Sequence, residues 1–273
     1  MLKKFLGAAS VVMCALVLSS AANAADYNWT FQTSETAGEP GFINKQKWAD
    51  SVKEMSGGRI EIEIVPIGAV VPHTDTLEAV GSGILQGHLT DPSYFAGKDP
   101  AFAMMGNLVG AWSDPFELLG YMQSGGGNEL FRELVAPYGV HFIGAAATEP
   151  EAFVSSVPIR TVEDLKGVKL RAPEGMVYEI FTKAGAAPVA LPGSEVFTSL
   201  DKGVIQAADY TVFAANQAAG MNDIAHYPLY PGFHSLPLID ISVNKKVWDG
   251  LPEDLKAIVN ASVDTFILNH IYS

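Results

Sequence analysis

The stretch Arg59-Ile60-Glu61-Ile62-Glu63-Ile64-Val65 predicts a β-strand, and its neighbours determine the fold class. Ile60, Ile62 and Ile64 alternate with charged residues, so an extended chain places all three on one face. The charged residues then lie on the opposite face. This segment is therefore expected to be a strand with one side against a core.

A helix and an earlier strand precede this segment. Between residues 44 and 55, apolar residues recur at helical spacing, and Gly57-Gly58 supplies the left-handed conformation at which helices commonly end. Residues 27–31 alternate aromatic and polar side chains, which indicates another strand. Two strands joined through a helix imply a parallel pair, so the sequence predicts an α/β fold.

The rest of the chain alternates in the same way. The alternation predicts strands at residues 86–90, 140–145, 153–157, 168–170, 189–191, 205–209 and 238–244, and helices at 75–84, 129–138, 175–185, 194–203 and from 251 onward. Thr161 and Asp164 are spaced as in a capping box. Repeated βα units predict sheets that are covered by helices on both faces.

Residues 1–24 have the features of a secretory signal peptide. A basic start with Lys3 and Lys4 is followed by apolar residues 5–18 and by Ala22-Asn23-Ala24, a pattern at which signal peptidase cleaves. Its apolar run is too short to span a membrane comfortably, so we expect a periplasmic protein with no membrane insertion after cleavage. At the other end, residue 273 falls within an amphipathic pattern, so we expect C-terminal helices to be truncated.

Charge and cysteine content exclude several classes of function. The chain has a net charge of −13, and removal of Lys3 and Lys4 with the signal peptide makes it −15. A nucleic-acid partner is therefore not expected, and an anionic ligand would need a local cationic group. The single cysteine, Cys14, lies in the signal peptide, so the exported chain has neither disulfides nor thiolate chemistry.

The sequence contains none of the common catalytic motifs. G-x-S-x-G, HExxH, P-loop and EF-hand patterns are missing, and the six histidines show no i, i+4 pairing. Glu149 and Glu151 resemble a catalytic carboxylate pair, but two residues apart on an extended segment they face opposite sides. We therefore predict that the protein is not an enzyme, with a periplasmic hydrolase as the minor alternative.

The stretch Thr161-Val-Glu-Asp-Leu-Lys-Gly-Val-Lys-Leu-Arg171, followed by Ala-Pro, resembles the central motif of TRAP-transporter periplasmic substrate-binding proteins (the DctP family). Four further segments resemble the same family in order along the chain: Trp48–Arg59, Lys98–Ala103, Leu200–Asp209 and Tyr230–Phe233. The second and fourth of these resemble the branch that binds 2-oxo acids and related organic acids.

The resemblance implies a two-lobed periplasmic binding protein fold with hinge strands and a long connecting helix. Residues 25–145 would form mainly lobe 1 and residues 146–235 mainly lobe 2, with 236–273 crossing back to lobe 1. The lobes would close on a small organic anion, a carboxylate, and deliver it to TRAP membrane subunits. A binding protein for a sensor or for another class of transporter is the alternative.

Arg171 is the residue expected to hold the ligand carboxylate. The family resemblance implies a two-pronged salt bridge at this position, and a guanidinium offers a planar fork that matches a carboxylate. Arg171 also comes at the end of a predicted strand, where open α/β sheets bind ligands. The alternative is a surface arginine in an exposed ion pair.

Asp209, Tyr210 and Glu151 are the other polar residues expected in the cleft. By resemblance, Asp209 and Tyr210 match positions that face a cation or a polar ligand group, whereas Glu151 stands where relatives carry arginine or glutamine. A carboxylate there would repel a bare anion, so we expect either that Asp209 and Glu151 hold a bridging cation such as sodium, calcium or magnesium, or that the ligand presents hydroxyls as well as an acid. Alternatively, Asp209 caps a helix that begins near Thr211.

The remaining expectations concern aromatic residues and one histidine. After Pro231-Gly232, where metal-assisted relatives have an acidic residue, this chain has Phe233-His234-Ser235, which argues against a metal. His234 is included in the predicted ligand-binding set. The residues expected to pack against the carbon frame of the ligand, or else to be ordinary core, are Tyr94, Trp112, Phe213 and Phe233.

Overall fold

Nine strands form two mixed sheets in the computed structural model, which describes residues 25–271. The predicted signal peptide lies outside the described residues. The strands are β1 (Tyr27–Thr33), β2 (Ile60–Val65), β3 (Gly87–Thr90), β4 (Val140–Ala147), β5 (Ala152–Ser155), β6 (Lys169–Arg171), β7 (Ala187–Val189), β8 (Ala207–Thr211) and β9 (Leu238–Asn244). The two sheets confirm the predicted α/β class.

Eleven helices accompany these strands in the described part of the chain. They are α1 (Pro40–Met55), α2 (Thr76–Ser82), α3 (Ala101–Gly106), α4 (Pro115–Ser124), α5 (Gly127–Val135), α6 (Met176–Lys183), α7 (Gly193–Asp201), α8 (Phe213–Ala218), α9 (Met221–Ile224), α10 (Lys245–Asp249) and α11 (Glu253–Ile271). Short 3-10 turns occupy His73–Asp75, Pro92–Phe95, Ala136–Tyr138 and Val162–Leu165. None of the described helices is both long enough and apolar enough to cross a membrane.

The first sheet has the strand order β2-β1-β3-β9-β4 and forms the basis of lobe 1. β1 and β2 are parallel, with Tyr27 opposite Ile60, as the strand-helix-strand pattern predicts. β9 lies antiparallel between β3 and β4, so the sheet is mixed rather than wholly parallel. The buried aromatic residues Trp29, Phe31 and Trp48 form the centre of its core, and Trp48 donates a hydrogen bond from Nε1 to Ser262 Oγ at 2.9 Å.

The second sheet has the order β5-β8-β6-β7 and forms the basis of lobe 2. The capping box predicted for Thr161 and Asp164 is confirmed at the turn before β6, because the Thr161 backbone N–H donates to Asp164 Oδ2 at 2.9 Å. β8 begins two residues later than expected. The backbone N–H groups of Val204 and Ile205 both donate to the Ser199 carbonyl, which holds them against the end of α7 and out of the sheet.

Two crossing segments join the lobes and run side by side. The chain passes from β4 to β5 through residues 148–151 and returns to β9 through residues 225–237. The Glu151 N–H donates to the Ser235 carbonyl at 2.9 Å, and the Thr148 N–H donates to the Pro237 carbonyl at 3.1 Å. These crossing segments occupy the place of the expected hinge strands, although their backbone is irregular apart from isolated bridges. The 19-residue helix α11 packs against β4 and α1 in lobe 1.

Gly81 in α2 sits against the turn before β4, and this contact can be tested. A Cβ atom at Gly81 would lie 1.9 Å from the Tyr138 carbonyl oxygen, a backbone atom that cannot rotate away. Gly81→Ala should therefore lower the free energy of unfolding by about 1–3 kcal/mol. A Cβ atom at Gly120 in α4 would have no neighbour within 4 Å, so Gly120→Ala should raise the free energy of unfolding by ~0.5–1 kcal/mol. Chemical denaturation of both variants measures the difference, and equal effects would contradict the packing described.

Candidate functional site

Arg171 lies at the end of β6 and is almost completely buried, with 2% of its surface exposed. Its Nε donates to the Leu191 carbonyl at 3.0 Å, Nη1 to the Asp209 carbonyl at 2.7 Å and Nη2 to the Tyr94 hydroxyl at 3.1 Å. Within residues 25–271 these bonds leave one N–H on each terminal nitrogen without a protein acceptor. The alternative of a surface arginine in an exposed pair is wrong.

A cavity of about 80 Å³ lies at Arg171 between the two lobes. Its walls come from both sheets and from both crossing segments, because the carboxyl end of β6 faces the ends of β1 and β3 across the hinge. The residues that line it are Ser34, Glu35, Glu39, Asp91, Tyr94, Asn107, Thr148, Glu151, Arg171, Pro173, Tyr210, Thr211, Pro237 and Ile239. Arg171 is the single arginine or lysine in this set, so the cavity has one fixed cation among several acids.

Glu151, Asp209 and His234 are brought together beside Arg171. His234 Nε2 lies 2.8 Å from Asp209 Oδ1 and 3.9 Å from Glu151 Oε2, and all three residues are buried. The Ser235 hydroxyl donates to Glu151 Oε2 at 2.7 Å. Gly232 allows the two crossing segments to lie close together, because a Cβ atom at residue 232 would lie 2.2 Å from the Pro150 carbonyl oxygen.

The two carboxyl groups have opposite pKa shifts. Burial raises the pKa of Glu151 well above its usual value, and the negative charge of Asp209 raises it further. Burial also disfavours ionisation of Asp209, but its electrostatic interaction and hydrogen bond with His234, together with the charge of Arg171, outweigh burial and lower the pKa of Asp209. Burial and charge therefore favour ionisation of Asp209 over ionisation of Glu151.

These residues also fit a cation. One ligand atom from each of Glu151, Asp209 and His234 lies within 4.8 Å of the others, and Asp209 Oδ2 is buried without a hydrogen-bond partner. Two carboxylates are hard oxygen donors that suit sodium, calcium or magnesium, and an imidazole adds a nitrogen donor. A cation bound here would need Glu151 to lose its proton.

Two hydrogen bonds that involve tyrosine hydroxyls join the lobes around the cavity. Tyr210 on β8 donates from its hydroxyl to Glu39 Oε1 at 2.6 Å, and Tyr94 of lobe 1 accepts from Arg171. Burial, and next the negative charge of Glu39, raise the pKa of Tyr210, so its hydroxyl remains a donor. Both tyrosines were singled out in the sequence, whereas Glu39 was not.

Three of the predicted aromatic residues lie elsewhere. Among the described residues that line the cavity at Arg171, neither Trp112 nor Phe213 nor Phe233 is present. Trp112 stacks on Tyr121 at 5.4 Å, and Phe213 packs at 5.2 Å against Tyr230, which is 74% exposed. Phe233 is 59% exposed and stacks on Phe153. Their rings pack on neighbouring aromatics outside the cavity.

The alternative role for Asp209 as a helix cap is wrong. β8 continues to Thr211, and α8 begins at Phe213 after Val212, so the Asp209 side chain is not at a helix start. Sequence reasoning missed the cavity residues Glu39, Asp91 and Asn107. Asp91 and Glu39 each precede a proline that opens a helix or turn, and that turn signal is the one available clue to them.

Comparison with known proteins identifies the relatives of this chain. Residues 31–268 match the family described as bacterial extracellular solute-binding protein, family 7. A monocarboxylate 2-oxoacid-binding periplasmic protein of Nostoc sp. is 30% identical over 258 residues, which cover 91% of this chain and 69% of the Nostoc protein.

Two solved structures are similar over most of the chain. The apo, open structure of a TRAP periplasmic solute binding protein from Rhodobacter sphaeroides is 52% identical, with a TM-score of 0.69 over 90% of this chain and 78% of that one. A TRAP protein from Pseudoalteromonas atlantica with bound sodium and pyruvate is 27% identical, with a TM-score of 0.78 over 89% and 75%. The less similar of the two sequences thus has the higher TM-score.

Asp91 provides a test of the electrostatics of the cavity. Burial raises the pKa of Asp91 from 3.8 to about 6, against the hydrogen bond that its Oδ1 accepts from the Ser93 N–H at 2.7 Å. A pKa raised by folding stabilises the fold below the unfolded value, and this stability is lost as pH rises through the folded value. Between pH ~4 and ~7, the Asp91 carboxyl should therefore cost the ligand-free protein about 3 kcal/mol.

Asp91→Asn keeps the hydrogen-bond acceptor and removes the titration. The free energy of unfolding of the variant should therefore fall less than that of the parent protein as pH rises over this interval. Asp114→Asn is the matched control, because exposed Asp114 accepts the same kind of bond from the Phe116 N–H at 2.7 Å. Urea denaturation at several pH values measures both, and parallel pH profiles for Asp91→Asn and the parent would contradict the assignment.

Proposed function

Because the chain belongs to the family of bacterial extracellular solute-binding proteins, family 7, we propose that it is a periplasmic receptor for a small organic acid. Its solute would be a 2-oxo monocarboxylate, as the name of the Nostoc relative suggests, and a TRAP-type membrane transporter would receive it. The predicted signal peptide supports a periplasmic location. We assign residues 25–145 mainly to lobe 1, 146–235 mainly to lobe 2, and 236–273 to a return into lobe 1.

The buried guanidinium of Arg171 is the observation that carries this proposal. It lies in a cavity between the lobes, and one N–H on each terminal nitrogen has no acceptor in the described protein. A carboxylate supplies two oxygens for such a pair of donors and neutralises the buried charge. Closing the lobes removes the pair from water, which strengthens the interaction.

A cation beside the solute is part of the proposal. Asp209, Glu151 and His234 would hold it, and the sodium found with pyruvate in the Pseudoalteromonas atlantica protein supports this choice. The cation would offset the repulsion between a ligand carboxylate and these acidic residues. It would also coordinate an oxygen of the ligand, which would select acids that carry an oxo or hydroxyl group beside the carboxylate.

Catalysis and sensing are less well supported. Glu151 and Asp209 form a carboxylate pair of the kind that a hydrolase uses, but Asp209 is hydrogen-bonded to His234 and Glu151 accepts a hydrogen bond from Ser235. The family and the similar structures are solute-binding proteins. A ligand recovered chemically unchanged from the protein would argue against hydrolysis. Stimulation of uptake by a TRAP membrane pair would argue against a role in sensing.

Removing the guanidinium of Arg171 should abolish tight binding. Arg171→Ala is expected to raise the dissociation constant for pyruvate and related 2-oxo acids by roughly 30-fold or more, since loss of one partner of a buried charge pair costs ~2–5 kcal/mol. Arg171→Lys keeps the charge but not the fork, and should bind with intermediate affinity. Isothermal titration calorimetry measures each constant.

Arg132→Ala is the control for this experiment. Arg132 makes an exposed ion pair with Glu129 at 3.6 Å, and its removal should leave binding unchanged. Circular dichroism establishes whether Arg171→Ala remains folded, because Arg171 also donates to three groups of the protein. A folded Arg171→Ala variant with unchanged affinity would overturn the role assigned to Arg171.

Cation dependence is the second test. In buffer free of sodium and treated with a chelator, the affinity for pyruvate should fall by about tenfold or more, and sodium or calcium should restore it. Asp209→Asn should abolish this restoration because it removes a negatively charged oxygen donor. The control is Asp201→Asn, on the exposed end of α7, which should leave the cation dependence unchanged. Asp240→Asn would not serve, because Asp240 is buried against His88. Equal affinity with and without cations would reject the bridging cation.

A further inference from the structure

A second cavity adjoins the one at Arg171 and has about 360 Å³ of space. Tyr94 and Pro173 line both cavities, and Leu191, whose carbonyl accepts from Arg171, lines the second. A group attached to a carboxylate at Arg171 therefore reaches this space by passing these side chains. The second cavity also lies between the lobes, since Ile67 and His73 belong to lobe 1 and Ala190 follows β7 of lobe 2.

The walls of the second cavity are mostly apolar. Apart from Tyr94, the apolar side chains that line it are Ile67, Pro72, Pro173, Ala190, Leu191 and Pro192. No lysine or arginine lines it among the residues that the structure describes, and Glu174 contributes an acidic group. A second carboxylate on a ligand would therefore find no positive charge there and would face a negative one.

His73 does not change this balance. Its ring packs edge-on against Tyr94 at 4.5 Å, and its Nε2 lies 3.0 Å from the Thr90 hydroxyl. Burial, more than the nearby charges, lowers the pKa of His73 to about 4, so the ring is neutral at physiological pH. His73 is therefore an uncharged wall that holds the Tyr94 ring in place.

The two cavities differ in size as well as in polarity. The space of about 80 Å³ at Arg171 suits a carboxylate with its adjacent oxygen-bearing carbon. At roughly 30 Å³ for a group the size of a water molecule, the 360 Å³ cavity has room for about twelve such groups, which is more than a chain of four to six carbons or a phenyl ring needs. Pyruvate, with a single methyl group beyond its oxo carbon, would leave most of it to water.

We propose that the second cavity is a subsite for a hydrocarbon tail, and that the preferred solutes are 2-oxo or 2-hydroxy monocarboxylic acids with tails of about four to six carbons. Dicarboxylates are disfavoured because no positive charge lines this cavity, and polyhydroxylated acids are disfavoured because its walls are mostly apolar. This inference rests on the proposed function, in which Arg171 holds the carboxylate.

A homologous series of ligands tests the tail subsite. Calorimetric titration with pyruvate, 2-oxobutanoate, 2-oxopentanoate and 2-oxohexanoate should show an affinity that increases up to about fourfold with each methylene, the value expected for burial of a CH₂ group. 2-Oxoglutarate matches 2-oxopentanoate in carbon number and should bind at least ~10-fold more weakly, because its second carboxylate enters a mostly apolar space with no positive charge and with Glu174 in its wall. Phenylpyruvate should bind more tightly than pyruvate.

A substitution that fills the cavity gives the structural control. Ala190→Phe should weaken 2-oxohexanoate binding by about tenfold or more and leave pyruvate binding within about threefold, because its ring occupies only the tail subsite. Ala187→Phe, at an exposed position three residues earlier on β7, should affect neither ligand.

The outcomes separate this inference from the proposed function. If pyruvate and the longer acids all fail to bind, the proposed function is wrong. If pyruvate binds but the longer acids bind equally or more weakly, or if Ala190→Phe weakens every acid alike, the tail subsite is wrong and the receptor role stands.

Discussion

The buried charge of Arg171 is the constraint on which the rest of the site depends. A guanidinium that is removed from water must be surrounded by acceptors, and the fold supplies three of them from separate places. The Leu191 carbonyl follows β7, the Asp209 carbonyl belongs to β8 and the Tyr94 hydroxyl comes from the other lobe. Because the three acceptors meet at one side chain, Arg171 fixes the ends of neighbouring strands and ties lobe 2 to lobe 1.

The acids around Arg171 explain why a ligand anion needs help to bind. The Asp209 carboxylate pairs with His234 and only its backbone carbonyl contacts Arg171, while burial and the charge of Asp209 raise the pKa of Glu151. An incoming carboxylate would meet the single guanidinium but would also lie near several acids. A cation held by Glu151 and Asp209 would offset that repulsion.

Local sequence patterns predicted the elements, but the lobe-to-lobe contacts could not be read from them. Alternation predicted β1 and β2, and the spacing of Thr161 and Asp164 predicted the capping box, because neighbours along the chain determine both features. The bond from Tyr210 to Glu39 joins residues 171 positions apart, and only the apposition of the lobes creates it. Aromatic identity likewise did not distinguish Tyr94, which faces the cavity, from Phe213, which packs on Tyr230.

The contacts between the lobes bear on how much of the binding free energy the ligand has to supply. The bonds from Tyr210 to Glu39 and from Arg171 to Tyr94 both join the two lobes, so both favour the arrangement in which the lobes are in contact. A ligand bound only by the closed form loses affinity in proportion to the fraction of protein that is open. These two bonds reduce that loss. Because each is a single hydrogen bond worth about 0.5–1.5 kcal/mol, or somewhat more when it involves a charged group, they favour closure without making release slow. A receptor that must pass its solute to a transporter requires that balance, since closure that was too stable would retain the solute.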